Sequence, residues 1–183
     1  MKKCLCVGID SYQWATDLHG CVQDAVGVKE ALARNGDGTL NFQVKTMLAT
    51  SEASCATKNE LRSAIIELFA SESEIALMYY SGHGAIDDTG GYLCTSEVKR
   101  GEDGLSLNDV MSEVNASKAR NKIIILDSCH SGAVGKVRAM PEYTIINSGT
   151  ILLSACEDSG YANEKGGHGV FTELLIEALK AVR

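Results

Sequence analysis

The sequence predicts an α/β protein of three layers, with a mostly parallel central sheet flanked by helices. Three observations carry this. Five runs, at 3–9, 42–48, 75–81, 122–127 and 150–155, are apolar almost throughout, as strands covered on both faces must be. Segments of helical period fill the gaps, and strand alternating with helix builds parallel βαβ units. The chain has 183 residues, 45% hydrophobic and 22% charged, which fits one domain with a real core and excludes a disordered or low-complexity chain.

The elements follow in order. In the first strand Cys4 and Cys6 alternate with Leu5 and Val7, and both cysteines read as small core hydrophobes. A helix over 24–35 carries Ala25, Val28 and Leu32 on one face and ends at Gly36-Asp37-Gly38. After the second strand, Thr57-Lys58-Asn59-Glu60 forms a capping box opening a helix with Leu61, Ile65, Leu68 and Phe69 inward. The third strand is followed by a surface loop at 85–104 with a short hairpin around Gly91-Tyr92-Leu93-Cys94. Ser106-Leu107-Asn108-Asp109 caps the next helix, before Val110, Met111 and Val114. A second loop, 131–149, separates the last two strands. The final helix places Phe171, Leu174, Leu175, Ala178, Leu179 and Val182 on a wide apolar stripe.

The net charge of −7 argues against nucleic acid or an anionic membrane as the main partner. No apolar run approaches the roughly 18 residues of a membrane span. The basic start, Met1-Lys2-Lys3, precedes too short an apolar stretch for a signal peptide. Seven cysteines, an odd count, together with that missing export signal point to a reducing, cytoplasmic setting with free thiols. No C-x-x-C pair occurs, so a zinc ribbon or a thioredoxin-type motif is unsupported.

The chemistry lies beyond the carboxyl ends of the parallel strands. The third strand runs into Ser81-Gly82-His83-Gly84, and the fourth into Asp127-Ser128-Cys129-His130-Ser131-Gly132. A histidine and a cysteine therefore leave the same sheet edge, with glycines beside His83 that allow tight turns and close approach of a substrate backbone. A thiolate is a nucleophile, and an adjacent imidazole can take the thiol proton and later protonate a leaving amine. Either residue alone is better read as core; both at strand ends point to function.

These residues resemble the two signatures of the caspase-like cysteine peptidases, with the metacaspase, paracaspase and bacterial orthocaspase branch nearest. Caspases place the histidine about 50 residues before the cysteine; here the interval is 46. Cys21-Val22-Gln23-Asp24-Ala25 is similar to the metacaspase Cys-x-Asn-Asp-Ala, with Gln23 departing from asparagine. Residues 5–12 resemble the family's first strand, and Leu153-Ser154-Ala155-Cys156-Glu157-Asp158 and Gly167-His168-Gly169-Val170-Phe171-Thr172 resemble its small subunit. The resemblance implies a caspase-like fold with 1–135 large-subunit-like, 136–149 connecting and 150–183 small-subunit-like. It implies His83 as base, Cys129 as nucleophile, and the N–H groups of Gly84 and Cys129 as oxyanion hole. A backbone carbonyl would orient the imidazole in place of a third triad side chain. Asp24, Ser81 and Asp127 would line the pocket for the residue before the scissile bond, giving cleavage after arginine or lysine. Residues two apart on a strand share a face, so Asp127 and Ser81 belong beside the dyad. True caspases carry glutamine where this chain has Asp127.

The plainer readings are Asp24 as a helix N-cap and Asp127 as a turn residue. A catalytically silent caspase-like interaction module is the alternative function, and a cysteine hydrolase of small amides a third. The expected partner is a protein or peptide with a basic residue before the cut, with additional domains or a regulatory partner left open. No cofactor is required on this reading. Calcium stays open through Asp87-Asp88 and Glu102-Asp103, which read better as solvated loop, and zinc at His83, Cys129 and His130 lacks a second cysteine at ligand spacing. His19 and His168 read as loop residues. Lys136 and Arg138 are candidate self-cleavage sites, and Arg183 a candidate release site from a longer chain; the chain reads as either a whole protein or an excised domain.

Overall fold

The computed structural model describes residues 1–99, 103–129, 148–155, 164–165 and 168–181, with 129, 164, 165 and 168 described by backbone alone. Its elements are β1 (Lys2–Ile9), α1 (Cys21–Ala33), β2 (Phe42–Ala49), α2 (Lys58–Ala70), β3 (Ile75–Asp87), β4 (Gly90–Leu93), β5 (Leu105–Ser106), α3 (Leu107–Ala116), β6 (Asn121–Cys129), β7 (Thr150–Ala155), β8 (Glu164–Lys165), β9 (His168–Gly169) and α4 (Val170–Ala181). β1 pairs parallel with β2 and β3, β3 with β6, and β6 with β7. The five predicted strands are these five parallel strands. The stretch 85–104, expected as a surface loop with a hairpin around 91–94, instead begins as the end of β3. It turns at 88–89 into β4, which runs antiparallel to β3 and β5, and it buries Leu93, Cys94, Thr95, Ser96 and Val98.

Alternation along each strand divides the core into two layers. Leu5, Val7, Met78, Tyr80, Ile124 and Leu126 pack on the α2 and α3 side with Leu61, Ile65, Val110 and Val114. Cys4, Cys6, Leu77, Tyr79 and Ile125 face the other way, onto Ala25, Val28 and Leu32 of α1 and Ile176 of α4. This is the three-layer α/β architecture the sequence predicts.

Local chemistry sets the helix starts. Thr57 and Glu60 form the reciprocal capping box of α2, and the Ser106 hydroxyl accepts the Asn108 N–H at α3. α1 starts differently. Gly20 sits before it with φ 106°, and Asp10, from the end of β1, accepts the N–H groups of Cys21 (2.9 Å) and Val22 (3.3 Å). α1 crosses β1 at Gly8, where a Cβ would meet the Cys21 carbonyl and lie 2.8 Å from Val22 Cα.

Four further expectations change. α1 begins at Cys21, so Asp24 lies inside its first turn and is not the N-cap. The apolar run 3–9 is β1 as predicted, and only the wider 5–12 stretch given by resemblance is cut back, with Tyr12 in the following loop. Among the described residues β7 is an edge strand, and Ile151 and Leu153 on it are exposed, so it is not covered on both faces. The third strand does not turn at Gly82-His83-Gly84. β3 stays extended to Asp87, held by β6 up to the pair His83–Cys129 and then by β4 from the pair Gly84–Leu93.

Candidate active site

The parallel register aligns Gly8, Ser81 and Asp127 at one level of the sheet, and His83 and Cys129 two residues further along. The cysteine and histidine singled out in the sequence are therefore neighbours across adjacent strands, and Ser81 and Asp127 stand together behind them. Cys129 enters through its backbone position.

His83 is 5% exposed, and its surroundings fix both its backbone and its ring. Its N–H donates to the Tyr12 phenol at 2.8 Å, and its carbonyl accepts from the Cys94 N–H at 3.0 Å. Tyr80 Oη lies 2.7 Å from the carbonyl oxygens of both His83 and Cys94 and shares its hydrogen between them. The Tyr12 ring packs against the imidazole with centroids 4.6 Å apart. Gly82 makes room for these hydroxyls, since a Cβ there would lie 2.7 Å from Tyr12 Oη and 2.8 Å from Tyr80 Oη. The glycine serves close packing, not a turn.

His83 Nε2 lies 2.8 Å from the Thr16 carbonyl oxygen. A carbonyl has no hydrogen to give, so Nε2 carries the proton and Nδ1 is the basic nitrogen of the neutral ring. Burial lowers the imidazole below the ordinary histidine value; the Thr16 bond and the charge of Asp17 act in the opposite direction. Gly84, the candidate oxyanion donor, follows on β3, and a Cβ there would crowd the Ser128 hydroxyl at 3.1 Å.

Asp24, 3% exposed, comes from α1, and Asp127 from β6. Both carboxylates converge on Gly169 of β9. Its N–H donates to Asp24 Oδ2 at 3.3 Å, and a Cβ on it would lie 3.1 Å from Asp127 Oδ2 and 3.5 Å from Asp24 Oδ2. Thr172 in the first turn of α4 donates to Asp127 Oδ2 at 2.6 Å, and the Tyr79 phenol lies 2.6 Å from the same threonine hydroxyl. Burial raises the Asp127 carboxyl above the ordinary range, and the Thr172 bond only partly offsets it. Ser81, 2% exposed, completes the group beside Tyr79.

The caspase-domain model of the C14 peptidases matches residues 1–183. The chain belongs to the caspase-domain family of cysteine peptidases. It is also 29% identical to Metacaspase-6 of Arabidopsis thaliana over 98% of its own length, and it spans about half, 52%, of that relative.

Among the described residues of this caspase domain, no group of three or more His, Cys, Asp or Glu side chains gathers as metal ligands would. Asp87 caps the turn into β4, accepting from the Thr89 N–H and hydroxyl and the Gly90 N–H. No described helix is long and apolar enough to cross a membrane. Glu102, His130, Lys136, Arg138 and Arg183 lie outside the described residues, as does most of the loop 131–149. Sequence reasoning did not find Tyr12, Thr16, Tyr79, Tyr80, Gly169 or Thr172. The tyrosines read as ordinary strand hydrophobes, and only the resemblance drew attention to the Gly169–Thr172 stretch.

Proposed function

We propose that this caspase domain is a cysteine endopeptidase cleaving after arginine or lysine. The observation that carries the proposal is the pair of carboxylates, Asp24 and Asp127, drawn to one glycine beside the His83–Cys129 pair of the sheet. Two carboxylates in a partly desolvated site repel each other unless a cation lies between or beside them. A guanidinium offers charge and a planar fork of donors, and an ammonium offers charge alone.

In the proposed reaction His83 Nδ1 takes the Cys129 proton, and the thiolate attacks the carbonyl carbon of the scissile peptide. The N–H groups of Gly84 and Cys129 stabilise the oxyanion, a kind of contact worth about 3 kcal/mol. The imidazolium then protonates the leaving amine as the C–N bond breaks, leaving a thioester on Cys129. Water, deprotonated by His83, attacks the thioester and releases the carboxylate product and the thiol. The Thr16 carbonyl supports this role by holding the imidazole in the required tautomer. No metal enters these steps, and cleavage without a strict calcium requirement is part of the proposal. So are a reducing cytoplasmic setting and self-cleavage after Lys136 or Arg138.

The test compares peptides differing only in arginine, lysine or aspartate before the cut, with wild type, Cys129→Ala and Asp127→Asn, with chelator and with added calcium. The expected result is cleavage after arginine and lysine in chelator, none with Cys129→Ala, and loss of the basic preference with Asp127→Asn. Aspartate preference refutes the pocket. Absence of cleavage under every condition favours a silent interaction module. Mass spectrometry of wild type beside Cys129→Ala shows whether any cut after Lys136 or Arg138 is self-inflicted.

A further inference from the structure

We infer that Thr172 is a positioning residue for substrate recognition: held by the Tyr79 phenol, its hydroxyl orients Asp127 so that Asp127 and Asp24 meet a basic side chain as a pair. The inference rests on the arginine/lysine reading above and deepens it.

The hydrogen bonds have a single direction. Thr172 donates its one hydroxyl hydrogen to Asp127 Oδ2 at 2.6 Å, the direction an ionised carboxylate requires. The Tyr79 phenol, 2.6 Å from the same oxygen of Thr172, must then be the donor to it. Thr172 is fully buried and Tyr79 is as well, so neither hydroxyl exchanges its partner for water. A charge-assisted bond in such surroundings is stronger and better directed than one in solvent. It fixes which oxygen of Asp127 faces α4 and which is turned away from it. Asp24 is set from the same short segment, because the Gly169 N–H, three residues before Thr172, donates to its Oδ2. The β9–α4 junction therefore sets the spacing and the aim of both acids, although neither acid belongs to it.

A purely structural alternative exists. Carboxylates near the first turn of a helix stabilise it, and Asp127 could serve α4 rather than the ligand. The two roles predict different kinetics. Thr172→Val keeps the shape and removes the hydroxyl; Thr172→Ser keeps the hydroxyl. KM and kcat are measured across pH with an arginine peptide, alongside the rate at which uncharged iodoacetamide alkylates Cys129. Thr172→Val should raise KM about tenfold, as expected for losing a hydrogen bond to a charged group, with kcat within about twofold and alkylation unchanged. Its KM should begin to rise at a higher pH than wild type on acidification, because Asp127 has lost the bond that opposes its burial. Thr172→Ser should restore both. Tyr79→Phe should move KM the same way by a smaller factor, and it carries the test if Thr172→Val does not fold. Wild-type KM and pH profile in Thr172→Val, or in Tyr79→Phe where that variant stands in, overturns the inference. So does a fall in kcat and alkylation that Thr172→Ser fails to rescue, which marks a structural role. If wild type does not favour an arginine peptide over its citrulline counterpart, the pocket reading itself fails and the positioning role falls with it.

Discussion

Asp127 sits where a carboxylate is costly to the folded chain. Burial raises its carboxyl above the ordinary value, which the unfolded chain retains. As pH rises from the ordinary value through the raised one, the unfolded state gives up its proton first, and stability falls over that window. The deficit is absent in strong acid and grows as pH rises through the raised value. Asp127→Asn, whose amide oxygen can still accept from Thr172, should therefore be more stable than wild type at pH 7 by roughly 0.5–2 kcal/mol. The gain should read as a rise in melting temperature of about 2–4 °C per kcal/mol. Near pH 3 the two proteins should melt together. The same variant should lose arginine cleavage, so a stabler protein with a poorer pocket is the expected outcome. Equal melting temperatures at pH 7 would show that Asp127 is not under strain.

Two glycines show how closely the elements approach. At Gly8 a Cβ would strike the backbone of α1, and backbone cannot move aside as a long side chain can. Gly8→Ala should push α1, and Asp24 with it, away from the sheet. At Gly82 a Cβ would strike the two tyrosine hydroxyls that hold the His83 peptide. Overpacking of this kind destabilises by about 1–3 kcal/mol, measurable by urea unfolding of each alanine variant; a loss under about 0.5 kcal/mol would contradict these contacts. Such crowding also explains what sequence reasoning could and could not reach. The five parallel strands were legible because near-continuous apolar runs have few other uses, and the caps of α2 and α3 because their chemistry is local. The continuation of β3 was not, since Gly-His-Gly has the composition of a turn and only the pairing with β6 and β4 keeps it extended. The start of α1 was missed because its cap, Asp10, lies 11 residues before Cys21. Cys129, His83 and Asp127 stood out through strand ends and motif spacing. Thr172 and Tyr79 did not, because a hydrogen bond spanning 93 residues leaves no local trace.

For the molecule as a whole, the site draws on α1, β3, β6 and the β9–α4 junction, so a ligand in the proposed pocket should bind the folded state alone. Agmatine, a guanidinium on a short chain, should raise the melting temperature of wild type as its concentration passes its Kd. At 100 times Kd the added stability is about 2.7 kcal/mol. Asp127→Asn should respond little; an equal rise in both would place the guanidinium elsewhere. One feature of the fold also bears on time. Bases carried on loops wander within nanoseconds to microseconds, but His83 rides in the middle of a strand, with its amide hydrogen on Tyr12 and its carbonyl bonded to Cys94 and Tyr80. The backbone that carries the imidazole cannot leave its place by a local excursion; the sheet must open first. For this one residue, heat displacement from the site has no clock of its own, and runs on that of the sheet.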